Sequence, residues 1–134
     1  MTLFVYGRLM SPAELNRVLG RAYTGGYRPH TLTGYRRTWT ALDGEIAYLD
    51  LKTRAGSSVK GFLVDLTEED FNRLDDWELG YQRVSLGGMH FFMSAPDRRQ
   101  SGSFVLRSYL RLVQSVTPEP LPDIPKNLTT VDDE

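Results

Sequence analysis

The sequence predicts an α+β protein, a small mixed, mostly antiparallel β-barrel with two short flanking helices. Three features of the chain predict this fold class. About six or seven short segments are rich in β-branched and aromatic residues, as strands are. Two segments begin with helix-capping residues and carry apolar side chains at helical spacing. Glycine-containing turns separate several strand segments, so neighbouring strands can be antiparallel and the sheet can close on itself.

The first segment predicts a strand, a turn and a helix in that order. The apolar run Leu3 to Tyr6 ends at Gly7, which indicates a strand stopped by a tight turn. The tetrad Ser11 to Glu14 has the pattern of a capping box with proline at the first helical position, and Gly20 ends the helix. The turn leaves backbone N–H groups at the strand end, which either bind an anionic group or serve only as a connection.

Strands are predicted in the middle of the chain. Thr31 to Trp39 alternates like a strand, and Gly34 indicates a bend within it. Ile46 to Lys52 and Val59 to Leu66 are two further strand segments. Between these two lies Arg54 to Ser58, a glycine-containing stretch that predicts a hairpin loop.

A second helix is predicted after Thr67, which has the pattern of an N-cap with the acidic Asp70 three residues later. Phe71, Leu74 and Glu78 then fall on one helical face. Because the first two belong in an apolar core, we expect Glu78 to lie at the edge of that core. The helix is expected to end at Gly80 in a left-handed conformation.

Glu78 has two interpretations. A partly buried carboxylate is costly unless it is paired or neutral, and its pKa usually rises, which makes it suitable as a general base near neutral pH. Alternatively, Glu78 forms an ion pair with Arg83 or another arginine and only stabilises the junction between helix and strand. Residue spacing alone favours the ion pair, because structural ion pairs are commoner than catalytic bases.

The segments after this helix predict a second hairpin. Tyr81 to Leu86 and Met89 to Met93 are strand segments joined by Gly87 and Gly88, and a polar loop follows over 94–102. Ser103 to Val116 has apolar residues that suit either a helix or a buried strand. Its position after a hairpin favours a strand.

Length and composition predict one soluble globular domain over 1–116, followed by a proline-rich acidic C-terminal tail over 117–134. The tail offers little to bury, so we expect it to be extended, packed over the surface at most, or disordered. The net charge of −1 argues against nucleic-acid binding. The pairs Arg36-Arg37 and Arg98-Arg99 are expected on the solvated surface.

Other site classes are not expected. The chain has no cysteine, which excludes disulfides and thiolate metal sites. His30 and His90 lie far apart without ligands at metal-binding spacing, so no metal site is predicted. The N-terminus lacks the features of a signal peptide, and no apolar run reaches membrane-spanning length, so we expect a cytoplasmic protein without membrane association.

Two separated pieces of the chain resemble one family. F-V-Y-G-R-L-M at Phe4 to Met10 is similar to the strand-end Tyr-Gly-(Ser/Thr)-Leu loop of the γ-glutamylcyclotransferase-like (AIG2-like) superfamily. V-K-G-F-L-V-D-L followed by L-D-D-W-E-L-G-Y-Q-R is similar to its second signature, in which a strand, a short acidic helix and a Glu precede a Tyr-x-Arg strand. Order and spacing both match, and the resemblance covers most of Met1 to Val113.

The resemblance implies a site at the mouth of a small barrel. Tyr6, Gly7 and Leu9 match the loop that lines the cavity and holds a γ-glutamyl group. Glu78 matches the catalytic acid/base, and this match favours its functional interpretation over the ion pair. We expect supporting roles for two matched residues of the following strand, Tyr81 and Arg83.

The implied reaction converts a γ-glutamyl amide to 5-oxoproline and releases the amine. It needs no metal or organic cofactor, and the implied partner is a small-molecule γ-glutamyl substrate bound by a monomer or homodimer. A catalytically silent binding module of the same fold is the alternative. Two departures matter: the proline-rich tail replaces the C-terminal segment of longer members, and Arg8 replaces a small hydroxyl residue. Arg8 either narrows the cavity or binds an acidic group of the substrate.

Overall fold

The computed structural model of the protein describes residues 1–41, 45–78, 80–95 and 102–133. Its centre is a five-stranded sheet with the strand order β2-β3-β1-β5-β4. The strands are β1 (Thr2–Val5), β2 (Arg28–Thr40), β3 (Tyr48–Asp65), β4 (Tyr81–Leu86) and β5 (Met89–Ser94). All neighbours are antiparallel except β1 and β5, which are parallel. The sheet curls into a half-barrel, so the predicted α+β class with a mixed, mostly antiparallel sheet is confirmed.

The described residues form three short helices beside the sheet, where two were predicted. They are α1 (Pro12–Leu19), α2 (Glu68–Trp77) and α3 (Arg107–Val116), and a 3₁₀ turn (Arg8–Met10) joins β1 to α1. The preference for a strand over 103–116 is wrong beyond a short strand β6 (Phe104–Leu106), since α3 follows it directly. Tyr109 and Val113, four residues apart, face the core from one side of α3, which is the helical alternative of the sequence pattern.

The hairpin predicted at Arg54 to Ser58 is also wrong. Both flanking segments belong to the single strand β3, whose residues 48–53 and 58–63 pair with β2. The pairing register shifts between Thr33 and Tyr35, so the residues around Gly56 are extra residues opposite the bend at Gly34. Gly34 and Gly56 have φ angles of 84° and 81°, values that favour glycine. The predicted bend at Gly34 is therefore confirmed, and the glycine-containing stretch on β3 is an irregularity of the same bend.

The predicted glycine conformations are confirmed, but α2 ends at Trp77, before the predicted end at Gly80, which has φ 87°. Gly20 has φ 69° at the end of α1, and Gly87 and Gly88, with φ 56° and 80°, turn β4 into β5. Ser11 is the N-cap of α1, but no side-chain hydrogen bond forms there, so the predicted capping box is absent. The reason is that the Glu14 carboxylate instead accepts hydrogen bonds from the guanidinium of Arg17, at 3.1 and 3.2 Å.

The strand β1 divides the core into two clusters because its side chains alternate between the two faces of the sheet. Leu3 and Val5 pack in the cluster under α1 and α2. Phe4 and Tyr6 point to the opposite face, where they pack with residues of β2, β3, β5 and α3. This alternation places the side chain of Tyr6 inside the half-barrel.

The tail is ordered over the residues that the structure describes. It runs extended past Trp39, whose indole N–H donates to the carbonyl of Pro122 at 3.1 Å. Leu128 is buried in the core cluster that contains Phe4 and Tyr6, which is more burial than the composition of the tail predicts. The tail then forms strand β7 (Thr129–Val131), which pairs in parallel with β6. The described residues include no helix long and apolar enough to span a membrane.

Candidate functional site

A cavity of about 250 Å³ opens at the end of β1. Its walls come from β1, the 3₁₀ turn, β3, β5, the end of α2, the start of β4, and α3. The cavity is lined by Leu3, Phe4, Val5, Tyr6, Gly7, Arg8, Leu9, Tyr48, Leu49, Trp77, Glu78, Tyr81, Phe92 and Tyr109. Six of the seven predicted site residues are therefore brought together around one space.

Arg83, the seventh, is absent from the cavity lining. Its guanidinium lies 3.6 Å from the carboxylate of Asp75 and 5.2 Å from the ring centroid of Phe71. Asp75 and Phe71 both belong to α2, so the side chain of Arg83 connects β4 to that helix. The ion pair between Arg83 and Glu78, one interpretation of the sequence, is not formed.

Glu78 is positioned by the junction between α2 and β4. A capping box begins α2: the Asp70 N–H donates to the Thr67 hydroxyl at 3.1 Å, and the Thr67 N–H donates to the Asp70 carboxylate at 3.0 Å. At the other end, the Glu78 N–H donates to the carbonyl of Leu74 at 2.8 Å, and the Glu78 carbonyl accepts from the N–H of Tyr81 at 3.0 Å. Glu78 is thus the C-cap residue, which faces its side chain into the cavity wall.

Burial raises the pKa of Glu78 from 4.5 to about 7. The positive charge of Arg8 opposes this change, and the negative charge of Asp50 adds to it. Within the described part of the chain, the Glu78 carboxylate has neither an ion pair nor a hydrogen-bond donor. It is therefore half-buried, accessible from the cavity and close to half-protonated at neutral pH.

The Tyr6 loop is held from two sides. The Tyr6 hydroxyl donates to the carbonyl of Phe92, and the Tyr6 carbonyl accepts from Nε of Arg37 at 3.1 Å. The 3₁₀ turn begins with the N–H of Met10 donating to the carbonyl of Gly7 at 3.0 Å. The N–H groups of residues 7–9 come before this first bond, so the turn itself does not use them.

Arg37 is buried, so the prediction from the sequence that it lies on the solvated surface is wrong. Only 7% of the residue is exposed. Besides the Tyr6 carbonyl, its guanidinium donates to the carbonyl of Lys60 at 2.7 Å and to the carboxylate of Glu119 at 3.0 Å. Arg37 therefore joins the site loop, β3 and the tail. The second predicted surface pair, Arg98-Arg99, lies outside the described residues.

Two tyrosines face each other across the backbone of Leu49. The Tyr81 hydroxyl donates to the Leu49 carbonyl at 3.1 Å, whereas the Tyr109 hydroxyl accepts from the Leu49 N–H at 3.0 Å. Tyr109 consequently keeps its own hydroxyl proton available to the cavity. Burial raises the pKa of Tyr109 and that of Tyr6 well above the ordinary value, so both phenols stay protonated at neutral pH.

Arg8 lies in a cage of three aromatic rings. Its guanidinium carbon is 5.1 Å from the ring centroid of Tyr48 and 5.3 Å from the centroids of Trp77 and Tyr109. Stacking on ring faces stabilises a partly desolvated guanidinium by about 0.5–2 kcal/mol per contact. Sequence reasoning found Arg8 but missed the rings, which come from β3, α2 and α3 and share no local pattern.

Asp50 is a second residue that sequence reasoning missed. It is fully buried on β3 and accepts hydrogen bonds from the N–H groups of Leu51, at 2.8 Å, and Ser94, at 2.9 Å. The Ser94 hydroxyl also donates to it. These bonds connect β3 to β5 although β1 lies between them. Asp50 thereby fixes the sheet behind the cavity and adds a negative charge that raises the pKa of Glu78.

The described residues contain no cluster of three or more metal-ligating side chains. The two histidines lie in different places: the ring of His30 packs edge-on against Phe4, and the ring of His90 packs edge-on against Phe71. The described lining of the cavity offers one titrating carboxyl, one guanidinium, phenol hydroxyls and backbone N–H groups.

Comparisons with solved structures show the same fold elsewhere. A structure described as gamma-glutamyl cyclotransferase is 11% identical with a TM-score of 0.56, over 70% of this chain and 66% of that protein. YkqA from Bacillus subtilis is 18% identical with a TM-score of 0.67, over 86% of this chain and 47% of that protein. The chain thus spans less than two thirds of the length of both.

A protein from Arabidopsis thaliana, solved in solution, is 25% identical with a TM-score of 0.55, over 72% of each chain. A sequence search of curated proteins found no match. The sequence model of one family, described as "Gamma-glutamyl cyclotransferase, AIG2-like", matches residues 3–96, which include β1, α2, β4 and most of the cavity. The chain belongs to the gamma-glutamyl cyclotransferase, AIG2-like family.

Proposed function

We propose that this protein converts a γ-glutamyl amide to 5-oxoproline and a free amine, with Glu78 as the general acid/base. One observation carries the proposal: Glu78 is half-buried in the cavity wall, has no ion pair among the described residues, and has a pKa of about 7. A general base is most effective when its pKa lies near the working pH. A carboxyl that served only to stabilise the fold would be expected beside a cation or fully solvated.

The reaction follows from the chemistry of the substrate. The α-amino nitrogen attacks the γ-carbonyl carbon, so a new C–N bond closes a five-membered ring. Before the attack, Glu78 as the carboxylate accepts one proton from the α-ammonium; after the attack, the ring nitrogen loses a second proton, which the released amine takes up as an ammonium. The bond between the γ-carbon and the amide nitrogen then breaks, and Glu78 returns a proton to the leaving amine. Both reacting groups belong to one molecule, so the cavity mainly has to hold the substrate in a folded geometry.

The negative charge that develops on the γ-carbonyl oxygen needs hydrogen-bond donors. Two sets of donors border the cavity: the N–H groups of residues 7–9 and the hydroxyl of Tyr109. Tyr6 and Tyr81 donate their hydroxyl protons to backbone carbonyls, so in this proposal they shape the cavity. Arg83 acts indirectly, because it holds β4 against the helix that ends at Glu78.

The test is release of 5-oxoproline from a panel of γ-glutamyl amino acids and γ-glutamyl amines by the wild-type protein. Glu78→Gln removes the titrating group with little change of shape, so turnover is expected to fall by at least about 100-fold while ligand binding persists. The matched control is Glu69→Gln, the same change at an exposed position of the same helix, which should leave turnover unchanged.

Two results would overturn the proposal. One is turnover by Glu78→Gln at the wild-type rate, since another group would then move the protons. The other is that no compound of the panel yields 5-oxoproline, although calorimetry shows that some of these compounds bind. That second result would identify the chain as a binding module with the same fold.

A further inference from the structure

The guanidinium of Arg8 carries hydrogen-bond donors without an acceptor among the described residues. The neighbouring carboxylate of Glu14 is 3.7 Å from Nε, and both of its oxygens already accept from Arg17. Yet the side chain of Arg8 is only 22% exposed. A guanidinium at the end of a mostly buried side chain, with N–H groups that no described residue accepts, is suited to bind an acceptor from outside the protein.

The aromatic cage leaves the edge of this guanidinium available. Tyr48, Trp77 and Tyr109 lie over Arg8 at centroid distances of 5.1–5.3 Å, so they hold the charge without consuming its N–H groups. The planar fork of an arginine binds a carboxylate through two parallel hydrogen bonds. The cage therefore keeps the fork oriented before a ligand arrives.

The charge of the cavity also favours a ligand that carries a carboxylate. Arg8 is the one cation and Glu78 the one carboxyl in the described lining. Because the pKa of Glu78 is about 7, that carboxyl neutralises Arg8 only in part at neutral pH. A ligand with a net negative charge is favoured there, and an additional cationic group would be repelled by Arg8.

The depth of Arg8 in the cavity indicates which part of the substrate it meets. Phe4, Tyr6, Phe92 and Tyr109 are buried and form the inner wall, whereas Arg8 is half-buried, like Glu78, Tyr48 and Trp77. The cavity volume of about 250 Å³ is just below the usual range for a ligand pocket, so a group as small as the γ-glutamyl part is expected at the inner wall, with the scissile amide at the depth of Glu78. The amine part then extends to the half-buried residues at the opening.

We infer that Arg8 is a specificity-determining residue that binds a carboxylate on the amine part of the substrate. This inference rests on the proposed function and narrows it: the protein takes γ-glutamyl amides of amino acids in preference to γ-glutamyl amides of simple or cationic amines. The first class has a second carboxylate beside the scissile amide, and the other classes have none there.

The experiment compares two compounds that differ only in this group, γ-glutamylalanine and γ-glutamylethylamide. For the wild-type protein, kcat/KM should be about 10- to 100-fold higher for γ-glutamylalanine, which is the range expected of a charge-assisted hydrogen-bonded pair. In Arg8→Gln the ratio should fall to within about threefold, because only the alanine compound loses an interaction. Arg8→Lys keeps the positive charge but not the planar guanidinium, so its ratio should lie between those of the wild type and Arg8→Gln.

Two controls keep the test decisive. Arg36→Gln makes the same change at an exposed arginine of β2 and should leave the ratio unchanged. Dissociation constants of both compounds, measured by calorimetry on Glu78→Gln protein, test the preference without turnover. If the proposed function fails, no 5-oxoproline forms, and the binding ratio still decides the role of Arg8. If Arg8→Gln does not fold, the ratio in Arg8→Lys decides it.

The inference is overturned by an equal loss on both compounds in Arg8→Gln, which would place the guanidinium on the glutamyl carboxylate. It is also overturned by a wild-type preference for γ-glutamylethylamide, in kcat/KM or in binding, because Arg8 would then only narrow the cavity.

Discussion

Replacing Glu78 by glutamine should make the protein more stable at alkaline pH. In the folded protein, burial raises the pKa of this carboxyl from 4.5, its value in the unfolded chain, to about 7. Between these values the folded state holds a proton that the unfolded state has released. The free energy of unfolding therefore falls as the pH rises through this window.

The size of the effect follows from the same two values. One pKa unit corresponds to about 1.4 kcal/mol, so above pH 7 the ionised Glu78 lowers the free energy of unfolding by about 3 kcal/mol. Glutamine has no proton to release and does not carry this cost. The Glu78→Gln protein should therefore match the wild type near pH 4.5 and exceed it by up to about 3 kcal/mol at about pH 8.

Urea unfolding of both proteins at several pH values between these limits measures the difference directly. Other titrating groups contribute equally to both proteins, so they cancel. A matched control is Glu119→Gln, where the same change should lower stability by about 1–3 kcal/mol because it removes the carboxylate partner of the buried Arg37. If Glu78→Gln is instead less stable than the wild type at about pH 8, Glu78 is engaged in a stabilising ion pair and the reasoning fails.

Two further outcomes are expected. If Glu78 is the base, kcat/KM for 5-oxoproline release should rise with pH and level off above the Glu78 pKa of about 7. A pH–rate profile measures this, and a profile that is flat from about pH 5 to 9 would contradict it. Asp50→Asn should lower the free energy of unfolding by about 1–3 kcal/mol, because an amide nitrogen in the place of Oδ2 cannot accept the hydrogen bond that the Ser94 hydroxyl donates, whereas Oδ1 still accepts from the N–H groups of Leu51 and Ser94. Urea unfolding tests this change, and a loss below about 0.5 kcal/mol would show that the site is solvated.

The parts of the fold that sequence analysis predicted correctly depend on neighbours along the chain. The capping box at Thr67 and the alternation in β1 each involve residues a few positions apart. These local rules place Glu78 at the end of a helix and Tyr6 at the end of a strand. The segment 103–116 was assigned wrongly because the spacing of its apolar residues fits both a strand and a helix. The packing of Tyr109 and Val113 into the core favours the helix, and this packing cannot be read from the sequence.

The missed parts of the site depend on residues that are far apart in sequence. Arg37 contacts Tyr6 across 31 positions and Glu119 across 82. Asp50 contacts Ser94, which lies 44 positions further along the chain. A single arginine or aspartate in a strand looks like a solvated residue until the partner strand or the tail is in place, so no local pattern distinguishes these residues from surface charges. The aromatic cage of Arg8 was missed for the same reason.

The two arginines near the Tyr6 loop explain how the fold keeps Glu78 without a counter-ion. Arg37 could neutralise a carboxylate, but its guanidinium is committed to Glu119, Lys60 and the Tyr6 carbonyl. Arg8 lowers the pKa of Glu78, but burial raises it by more. The Glu78 carboxyl therefore keeps a pKa near neutral beside Arg8, the one cation in the described cavity lining, while Arg37 is bonded elsewhere.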